Sequence, residues 1–374
     1  MISASKPRVI FDSEIFVRQK FGGVSRQFVE IFKVFKQELK NQIDCEIAVK
    51  YHFNAHLHSF CKELKDTDWK PKYISRLPNR LRPLIEARNG YYEEKRHQRF
   101  LPGIIHHTFY PKKNLESKYS HVVTVNDLIR EKSEPNGERA RLKRKICEKA
   151  DRVICISAKT RDDLEEILNI PKEKCSVIHL APAEKFRVPH ERMVDVEDKE
   201  KFILYVGDRE GYKNFDNLLK AYALKKEISN EFSLICFGGP KPSNKELENI
   251  SSLNLRKVRF KNGNDNELAH LYSQAFLFVY PSLDEGFGIP PLEAMASGCP
   301  TISSKSGSLP EVLGDSTFYI EGDKIESIEV GLEYMLRDTL ARKHYQSKGL
   351  AHSKKFSWSK AAAQTLEVYK EFIN

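Results

Sequence analysis

Short apolar runs that alternate with amphipathic stretches constrain this chain more than any other feature of its sequence. This alternation is typical of βα units wound around a parallel sheet. It occurs in two series, which predict strands at 8–12, 45–49, 103–107, 121–125, 152–156 and 175–180, and again at 201–207, 232–238, 257–260, 276–282 and 299–303. We therefore expect an α/β protein with two Rossmann-like domains, each built on a doubly wound parallel sheet.

Residues 181–200 separate the two series, and their prolines, mixed charge and lack of periodicity are typical of a linker. We therefore predict domains at 1–188 and 189–356, with a ligand cleft between the carboxyl ends of their strands. The N-terminal residues lack the apolar core of a secretory signal, so we expect a cytoplasmic location. Seven scattered cysteines without a C-x-x-C pair argue against a disulfide framework and against a zinc site.

The net charge of +10 is concentrated in the first half of the chain. Residues 1–185 contain 37 Lys and Arg but 25 Asp and Glu, so that half alone carries +12. A basic half can meet nucleic acid, a phospholipid surface or a phosphorylated acceptor, and the alternative is a face that only keeps the protein soluble. Nucleic acid is disfavoured, because the basic residues are not interleaved with aromatic ones as in single-strand-binding surfaces.

The segment SLDEGFGIPPLEAMASGCP (282–300) is the most informative stretch. Two prolines that favour a helix start follow a glycine loop made of Asp284, Glu285, Gly286, Phe287 and Gly288. Glycines let backbone N–H groups approach a ligand, and a helix N-terminus attracts anions. The segment therefore predicts a phosphate or diphosphate site.

Two carboxylates accompany this predicted anion site. Glu285 lies in the loop and Glu293 in the helix that follows, with seven residues between them. A carboxylate beside an anion site is reasonable if the ligand also carries hydroxyls, because a carboxylate can accept hydrogen bonds from a vicinal diol. The alternative is that Glu293 complements the helix dipole and that Glu285 caps the turn.

A second candidate site is the turn GDREGYKN (207–214), which begins at Gly207 after a predicted strand. Arg209 and Lys213 stand on this turn, where two cations could hold a diphosphate and neutralise its charge as it leaves. The alternative is a pair of solvated surface cations.

The first domain offers weaker signals. Gly22 and Gly23 lie between a strand and a helix, which suits close approach to a phosphate or a sugar. Asp127 follows the strand at 121–125 and can bind a sugar hydroxyl or cap a turn. The D-x-D triplet at 66–68 follows no apolar strand, so we interpret it as a helix end and expect no manganese site. His106 and His107 lack acidic or cysteine partners in the sequence, and we expect no metal there.

These residues resemble the retaining, nucleotide-sugar-dependent glycosyltransferases of family 4 (glycosyl transferases group 1), which have the GT-B architecture of two Rossmann-like domains. The resemblance extends from Gly22-Gly23 through ADRVICISAKTRDDL (150–164) to FSWSKAAAQTLEVY (356–369), and its most specific part is EGFGIPPLEAMASGCP with its two glutamates. The string YVGDREGYKNF (205–215) is similar to bacterial enzymes that add mannose or a related sugar during surface-polysaccharide assembly.

The resemblance implies roles for residues at matching positions. Glu285 would contact the donor sugar, Glu293 the ribose diol and Lys213 the diphosphate, which Gly23 would approach from the first domain. Backbone amides would hold sugar and phosphate oxygens at Phe287, Gly288 and Ile289. No metal cofactor would be needed, and a last helix at 357–374 would cross back to the first domain.

Two positions depart from the family pattern. Asn126 stands where the family usually has a histidine before the aspartate, here Asp127. Asp208 stands where the family's diphosphate-binding arginine often follows the strand, so that only Arg209 could substitute. The resemblance therefore does not assign the sugar contact of that histidine or the diphosphate contact of that arginine to a residue of this chain.

We expect a hexosyltransferase that moves a sugar from a nucleotide diphosphate donor, GDP-mannose before UDP-sugars, to a hydroxyl with retention of configuration. The acceptor would be a glycan or a lipid-linked oligosaccharide at an anionic membrane surface, which would explain the basic first half. The alternatives are a nucleotide-sugar epimerase of the same architecture and, outside enzymes, a basic nucleic-acid-binding protein.

Overall fold

The protein is described here from a computed structural model, which covers residues 6–64, 69–75, 79–99, 101, 103–111, 115–187 and 200–373. The chain forms two compact units, one made of residues 1–180 with 358–374 and the other of residues 181–357. The predicted boundary at 188/189 and the D-x-D triplet at 66–68 lie outside the described residues.

The first unit contains a six-stranded parallel sheet in the order β2-β1-β5-β6-β7-β8 and a small parallel pair, β3-β4. Its strands are β1 (Arg8–Phe11), β2 (Asp44–Ile47), β3 (Tyr51–His52), β4 (Lys72–Tyr73), β5 (Ile104–His107), β6 (Ser120–Val125), β7 (Arg152–Cys155) and β8 (Cys175–Val177). Its helices before the second unit are α1 (Gly23–Gln37), α2 (Ala55–Glu63), α3 (Arg82–Arg99), α4 (Ile129–Ser133), α5 (Glu138–Lys149) and α6 (Ala158–Leu168).

The second unit contains a six-stranded parallel sheet in the order β11-β10-β9-β12-β13-β14. Its strands are β9 (Phe202–Val206), β10 (Ser233–Phe237), β11 (Val258–Lys261), β12 (Leu277–Tyr280), β13 (Thr301–Ser304) and β14 (Phe318–Ile320). Its helices are α7 (Phe215–Leu224), α8 (Lys226–Glu231), α9 (Asn244–Ser252), α10 (Asp265–Gln274), α11 (Ile289–Ala296), α12 (Leu309–Leu313), α13 (Ile325–Arg337) and α14 (Thr339–Ser353).

The last helix, α15 (Trp358–Lys370), belongs to the first unit. It packs against α1, where the rings of Phe35 and Tyr369 lie 6.0 Å apart. The Tyr369 hydroxyl also hydrogen-bonds His106 Nδ1 at 2.5 Å, inside the core. The helix expected to cross back to the first domain is therefore present, and both predicted doubly wound sheets are confirmed.

Residues 181–187 are part of the second unit rather than a linker. A 3₁₀ turn at Glu184–Phe186 places the Phe186 ring 5.8 Å from that of Tyr272, and Ser297 Oγ donates to the Phe186 carbonyl at 2.9 Å. The linker prediction is therefore wrong for 181–187. The prolines and charged residues of this segment are typical of a linker, but its one aromatic residue, Phe186, is buried in the second unit.

Helix α3 is held to the first unit by polar contacts. The Glu93 carboxylate accepts a hydrogen bond of 2.8 Å from the Ser13 amide and another from the Ser13 hydroxyl. Burial, and next the charge of Asp12, raise the pKa of Glu93 to about 8. At neutral pH the native state therefore holds a proton that the unfolded chain has released.

Replacing Glu93 should change how stability depends on pH. Because the raised pKa lets the native state bind the proton more tightly, this group lowers stability as pH rises from about 4.5 to about 8. Glu93→Gln stays neutral, so its melting temperature should fall less than that of the wild type between pH 5 and pH 8. Glu94→Gln, at an exposed neighbouring position, is the control. If the melting temperatures of Glu93→Gln and the wild type change by the same amount between pH 5 and pH 8, the raised pKa of Glu93 is contradicted.

None of the described helices combines the length and the apolar composition that crossing a membrane requires.

Candidate functional site

The strand order of the second unit determines where its ligand site lies. β10 and β11 follow β9 on one side, whereas β12 lies on the other, so the direction of winding reverses between β9 and β12. In open α/β sheets, ligands bind beyond the carboxyl ends of the strands at this reversal. The turn 207–214 follows β9 and the glycine loop 282–288 follows β12, so the two predicted sites meet there.

An ion pair joins these two loops. Lys213 Nζ lies 2.7 Å from Glu285 Oε1, with the two side chains only 15% and 10% exposed. The ammonium also donates to the Tyr280 hydroxyl at 3.0 Å. The structure therefore brings together the two predicted residues that are 72 positions apart.

Among the described residues, the hydrogen bonds to the Glu285 carboxylate all reach one of its two oxygens. Oε1 accepts hydrogen bonds from Lys213, from the Tyr280 hydroxyl at 2.7 Å and from Ser282 Oγ at 2.6 Å. Among the described residues, no donor reaches Oε2. The carboxylate is thus fixed in orientation while one oxygen keeps its capacity to accept a hydrogen bond.

The electrostatics of this cluster favour a charged lysine. Burial alone would lower the pKa of Lys213, but the charge of Glu285, with Tyr212, raises it above its ordinary value. The pKa of Tyr280 is raised by its burial and by the Glu285 charge, so its phenol stays protonated. The site therefore holds a permanent cation and a neutral donor around one carboxylate.

The loop after β13 supports the glycine loop from behind. Ser308 donates to the Glu285 carbonyl through its amide at 3.0 Å and through its hydroxyl at 2.9 Å. Gly307 has a φ of +58°, and a Cβ there would lie 2.6 Å from Asp284 Oδ1 and from the Glu285 backbone. Only glycine fits at this contact.

Helix α11 presents few backbone donors at its start. Gly288 precedes the helix with a φ of +98°, and a Cβ there would lie 2.5 Å from Leu309. Pro290 and Pro291 occupy the second and third helical positions and have no N–H. Donors at this end therefore come from the residues up to Ile289.

Two further residues of the segment, Glu293 and Phe287, lie in the interior of the second unit. Glu293 is 2% exposed, and its Oε2 accepts a hydrogen bond from Tyr272 of α10 at 3.5 Å. Phe287 is buried edge-on against Phe356, with their ring centres 6.1 Å apart. Gly286 is partly exposed at the tip of the loop.

Arg209 does not share the Lys213 site. Its Nε bonds Glu246 at 2.6 Å, and its two terminal nitrogens donate to the carbonyls of Gly238 and Pro240 at 2.9 Å and 2.6 Å. These partners lie on the β10 side of β9, whereas Lys213 reaches toward β12. The geometry does not match the prediction that Arg209 and Lys213 together hold one diphosphate. The alternative, a pair of solvated surface cations, does not match either, since Arg209 is only 6% exposed and the Lys213 side chain 15%.

Gly207 begins this turn and makes the tight reversal that the turn requires. Its φ is +135°, and its amide donates to the Phe237 carbonyl of β10 at 3.0 Å. Asp208, which follows, accepts the Arg209 amide on Oδ1 at 2.8 Å. The family's usual arginine position is thus occupied by a residue that caps the turn.

The predicted residues of the first unit form their own local structure. Gly22 precedes α1, and a Cβ there would lie 2.4 Å from Gln19 Oε1, which also accepts the Ser25 amide. Gly23 is the first residue of the helix. The structure therefore places a side-chain amide at the N-terminus of α1, where sequence analysis predicted a phosphate or sugar contact.

Asp127 caps the turn after β6, which was one of the two roles predicted for it. Its Oδ1 accepts the Ile129 amide at 3.2 Å, and its carbonyl accepts Lys143 Nζ at 2.7 Å. The neighbouring Asn126 carbonyl accepts Thr160 Oγ1 at 3.4 Å. Both residues are partly exposed beyond β6.

The paired histidines of β5 have partners that their sequence did not reveal. His107 Nδ1 lies 2.9 Å from Asp12 Oδ2, and its Nε2 lies 3.0 Å from His121 Nδ1. His106 faces the other side and bonds Tyr369 and Thr124. The described residues contain no group of three or more metal-ligating side chains.

Four residues of the site were not predicted from the sequence: Tyr280, Ser282, Gly307 and Ser308. The first two stand at the carboxyl end of β12, so their position was a usable signal. Gly307 and Ser308 follow β13, and nothing in their local sequence indicates that they contact a loop more than twenty positions earlier.

Two family models match this chain. The one described as Glycosyl transferases group 1 matches residues 190–351, and the one described as Glycosyltransferase Family 4 matches residues 54–181. The chain belongs to this glycosyltransferase family. The resemblance inferred from Glu285, Glu293 and the glycine loop is therefore confirmed.

Curated relatives of this glycosyltransferase include two O-antigen enzymes. It is 31% identical over 228 residues to O-antigen chain mannosyltransferase B of Escherichia coli, which covers 58% of this chain and 60% of that one. It is 34% identical over 195 residues to O-antigen chain mannosyltransferase RfbU of Salmonella typhimurium, covering 51% and 53%. The alignments thus span little more than half the length of these relatives.

Solved structures share the fold of this glycosyltransferase. The HepE protein of Anabaena, crystallised with UDP-glucose, matches with a TM-score of 0.73 at 16% identity, covering 98% of this chain and 100% of that one. This likeness supports the GT-B fold that the family resemblance implied.

The contact behind the glycine loop can be tested with two glycines of similar backbone conformation. Gly307 and Gly211 have φ values of +58° and +55°, but a Cβ at Gly211 would meet nothing within 4 Å. Gly307→Ala should therefore destabilise the protein by about 1–3 kcal/mol more than Gly211→Ala, because only the former adds overpacking. Urea unfolding measures the difference, and equal losses would show that the contact is not tight.

Arg209 should prove to be a structural residue. Because its guanidinium is buried and each of its three nitrogens is hydrogen-bonded, Arg209→Met should lower stability by about 3–5 kcal/mol by leaving Glu246 and two carbonyls without their partner. Arg259→Met, which removes an exposed ion pair with Glu200, should cost about 1 kcal/mol or less. Comparable losses in chemical unfolding would contradict this assignment.

Proposed function

We propose that this glycosyltransferase moves a hexose from a nucleotide diphosphate sugar to an acceptor hydroxyl during surface-glycan synthesis, with retention of configuration and without a metal ion. GDP-mannose is the first donor that we propose. Two curated relatives are named O-antigen chain mannosyltransferases, which supports both the sugar and the class of acceptor. HepE was crystallised with UDP-glucose, so UDP-sugars are the second choice.

The observation that carries the proposal is the one-sided bonding of Glu285. Three donors hold Oε1, while Oε2 has no hydrogen bond among the described residues. A sugar hydroxyl that donates to Oε2 would therefore need no rearrangement of the carboxylate. This supports a donor-sugar contact in place of a purely structural cap.

Lys213 supplies the positive charge that a departing diphosphate requires. The Lys213 ammonium bonds Tyr280 and Glu285, and it lies 5.0 Å from the centre of the Tyr212 ring, which is 37% exposed. A phosphate oxygen that approaches from the exposed Tyr212 side can bind the ammonium while the two buried contacts keep it in place. Stabilisation of developing charge by a preorganised donor is the largest single term in many enzymes.

Backbone amides before Pro290 complete the anion site. The prolines remove competing donors from the first turn of α11, so its positive end is presented by the residues up to Ile289. Together with Lys213, these amides would neutralise the leaving group, and this is why we propose that no metal ion is needed. Arg209 has no part in this step, because its guanidinium is buried and anchored to Glu246, Gly238 and Pro240 on the β10 side of β9.

Removing either charged member of the ion pair should slow transfer strongly. Lys213→Ala and Glu285→Gln should each lower kcat by about 10²–10³, because each removes or misorients one preorganised group. GDP release from GDP-mannose is measured with a synthetic mannose-terminated oligosaccharide as acceptor. Lys220→Ala, an exposed lysine on α7, is the matched control and should keep the wild-type rate.

Several outcomes would overturn the proposal. If Lys213→Ala and Glu285→Gln both turn over donor at the wild-type rate, the site is elsewhere. Isomerised donor without acceptor would show an epimerase. Inversion of the anomeric centre in the NMR spectrum of the product would exclude retention, and loss of activity in a chelator would exclude metal independence.

The nucleotide can be chosen by thermal stabilisation. A donor present at 100 times its Kd adds about 2.7 kcal/mol to stability, so GDP, UDP and their sugars can be compared directly. Stabilisation by GDP-mannose and not by UDP-glucose is expected, and the reverse would transfer the proposal to UDP-sugars.

A further inference from the structure

Helix α3 has its apolar side chains on the outside. Leu81, in the turn just before it, and Leu84 and Tyr91 within it are 41%, 62% and 63% exposed. With Arg88 and Lys95 they follow a spacing of three and four residues, which places all five on one side of a helix. These five residues are called the outer face of α3.

The inner side of α3 is polar. Asn89 on this side is 1% exposed, and its side chain accepts the amides of Lys50 and Tyr51 at 3.1 Å and 3.0 Å. The Arg82 guanidinium donates to the Val17 carbonyl at 2.8 Å, and Arg96 pairs with Glu46 at 3.1 Å. Helices of soluble proteins normally place the apolar stripe toward the core, so the orientation of α3 is reversed.

This reversal is not explained by the packing of the first unit. The polar contacts fix the helix with its leucines exposed, and contiguous exposed apolar side chains usually mark an interaction surface. Leu84, Arg88 and Tyr91 also line one open depression together with Lys50 and Tyr51. The outer face is therefore a surface that the fold presents outward.

The charges around the outer face identify the chemistry of its partner. Arg88 and Lys95 lie on the face, and Lys50 and Arg80 flank it, all exposed. The Lys95 ammonium lies 4.6 Å from the centre of the Tyr91 ring, an arrangement that suits a boundary between water and an apolar phase. Two acidic residues share this side, Glu94 and Glu86, but Glu86 lies 3.8 Å from Arg82. Cations thus remain in excess.

We propose that the outer face of α3 docks this glycosyltransferase onto an anionic phospholipid surface. Leucine side chains would enter the headgroup boundary, while the cations would meet lipid phosphates. Nucleic acid would use the cations but leave the leucines in water. A second copy of the chain would bring like charges together. The inference rests on the proposed function, since a lipid-linked acceptor is presented at such a surface.

Vesicle co-sedimentation of the full chain tests this docking. The wild type should pellet with vesicles of phosphatidylcholine and phosphatidylglycerol at 7:3, and much less with phosphatidylcholine alone. Binding should weaken in about 0.5 M salt, because salt screens the attraction between lysines, arginines and lipid phosphates. Equal recovery with neutral and anionic vesicles would overturn the proposal.

A double variant and a matched control locate the surface. Leu84→Glu/Arg88→Glu should lower the lipid partition coefficient about tenfold or more, since it removes an apolar anchor and reverses a charge. Leu340→Glu/Lys343→Glu makes the same changes on α14 of the second unit, where Leu340 is 80% exposed. This control should bind like the wild type. Equal losses in both variants would show an effect of net charge alone and overturn the assignment.

Further readouts separate the outcomes. Circular dichroism checks folding, and the milder Leu84→Gln replaces any double variant that fails to fold. A change in oligomeric mass by light scattering, with lipid binding unchanged, would assign the face to a second copy and overturn the proposal. The double variant should still be stabilised by the donor nucleotide and act on a water-soluble acceptor. If the double variant loses lipid binding but still transfers sugar, the docking role of the outer face is supported. If no variant transfers sugar although lipid binding is normal, only the proposed function is rejected.

Discussion

The ion pair between Lys213 and Glu285 connects the parts of the second unit that matter most. It joins the loop after β9 to the loop after β12, at the point where the direction of winding reverses. A buried ion pair adds little to stability on balance, because desolvation offsets the attraction. Its value here is orientation, since it fixes one carboxylate oxygen and leaves the other available. Tyr280 and Ser282 bond the same carboxylate oxygen, and Gly307 and Ser308 support the backbone of its loop.

The fold was predictable because each β-strand is a short apolar run between turn residues. The predicted strands of both sheets are confirmed to within about two residues at most ends. β14 was missed, because Phe318–Ile320 is only three residues long. Helix α3 could not be placed from sequence, because its apolar residues do not face the core and its periodicity therefore gave no usable signal.

The site was predictable only where chemistry follows a strand directly. Lys213 and Glu285 stood out because each follows an apolar run within a glycine-containing turn. Arg209 stood out for the same reason, yet its contacts depend on Gly238 and Pro240, which follow a different strand. Sequence spacing shows that a cation is near a strand end, but it does not show toward which neighbouring strand the side chain turns. Those contacts come from the order of strands in the sheet.

The position of α15 has a consequence for how the protein is made. The first unit needs residues 358–370 to complete its core, because Tyr369 fills the space between Phe35 and His106. On the ribosome, all of the second unit emerges before these residues do. The first unit must therefore wait with an open apolar surface while the second unit is synthesised, and α15 closes that surface only afterwards.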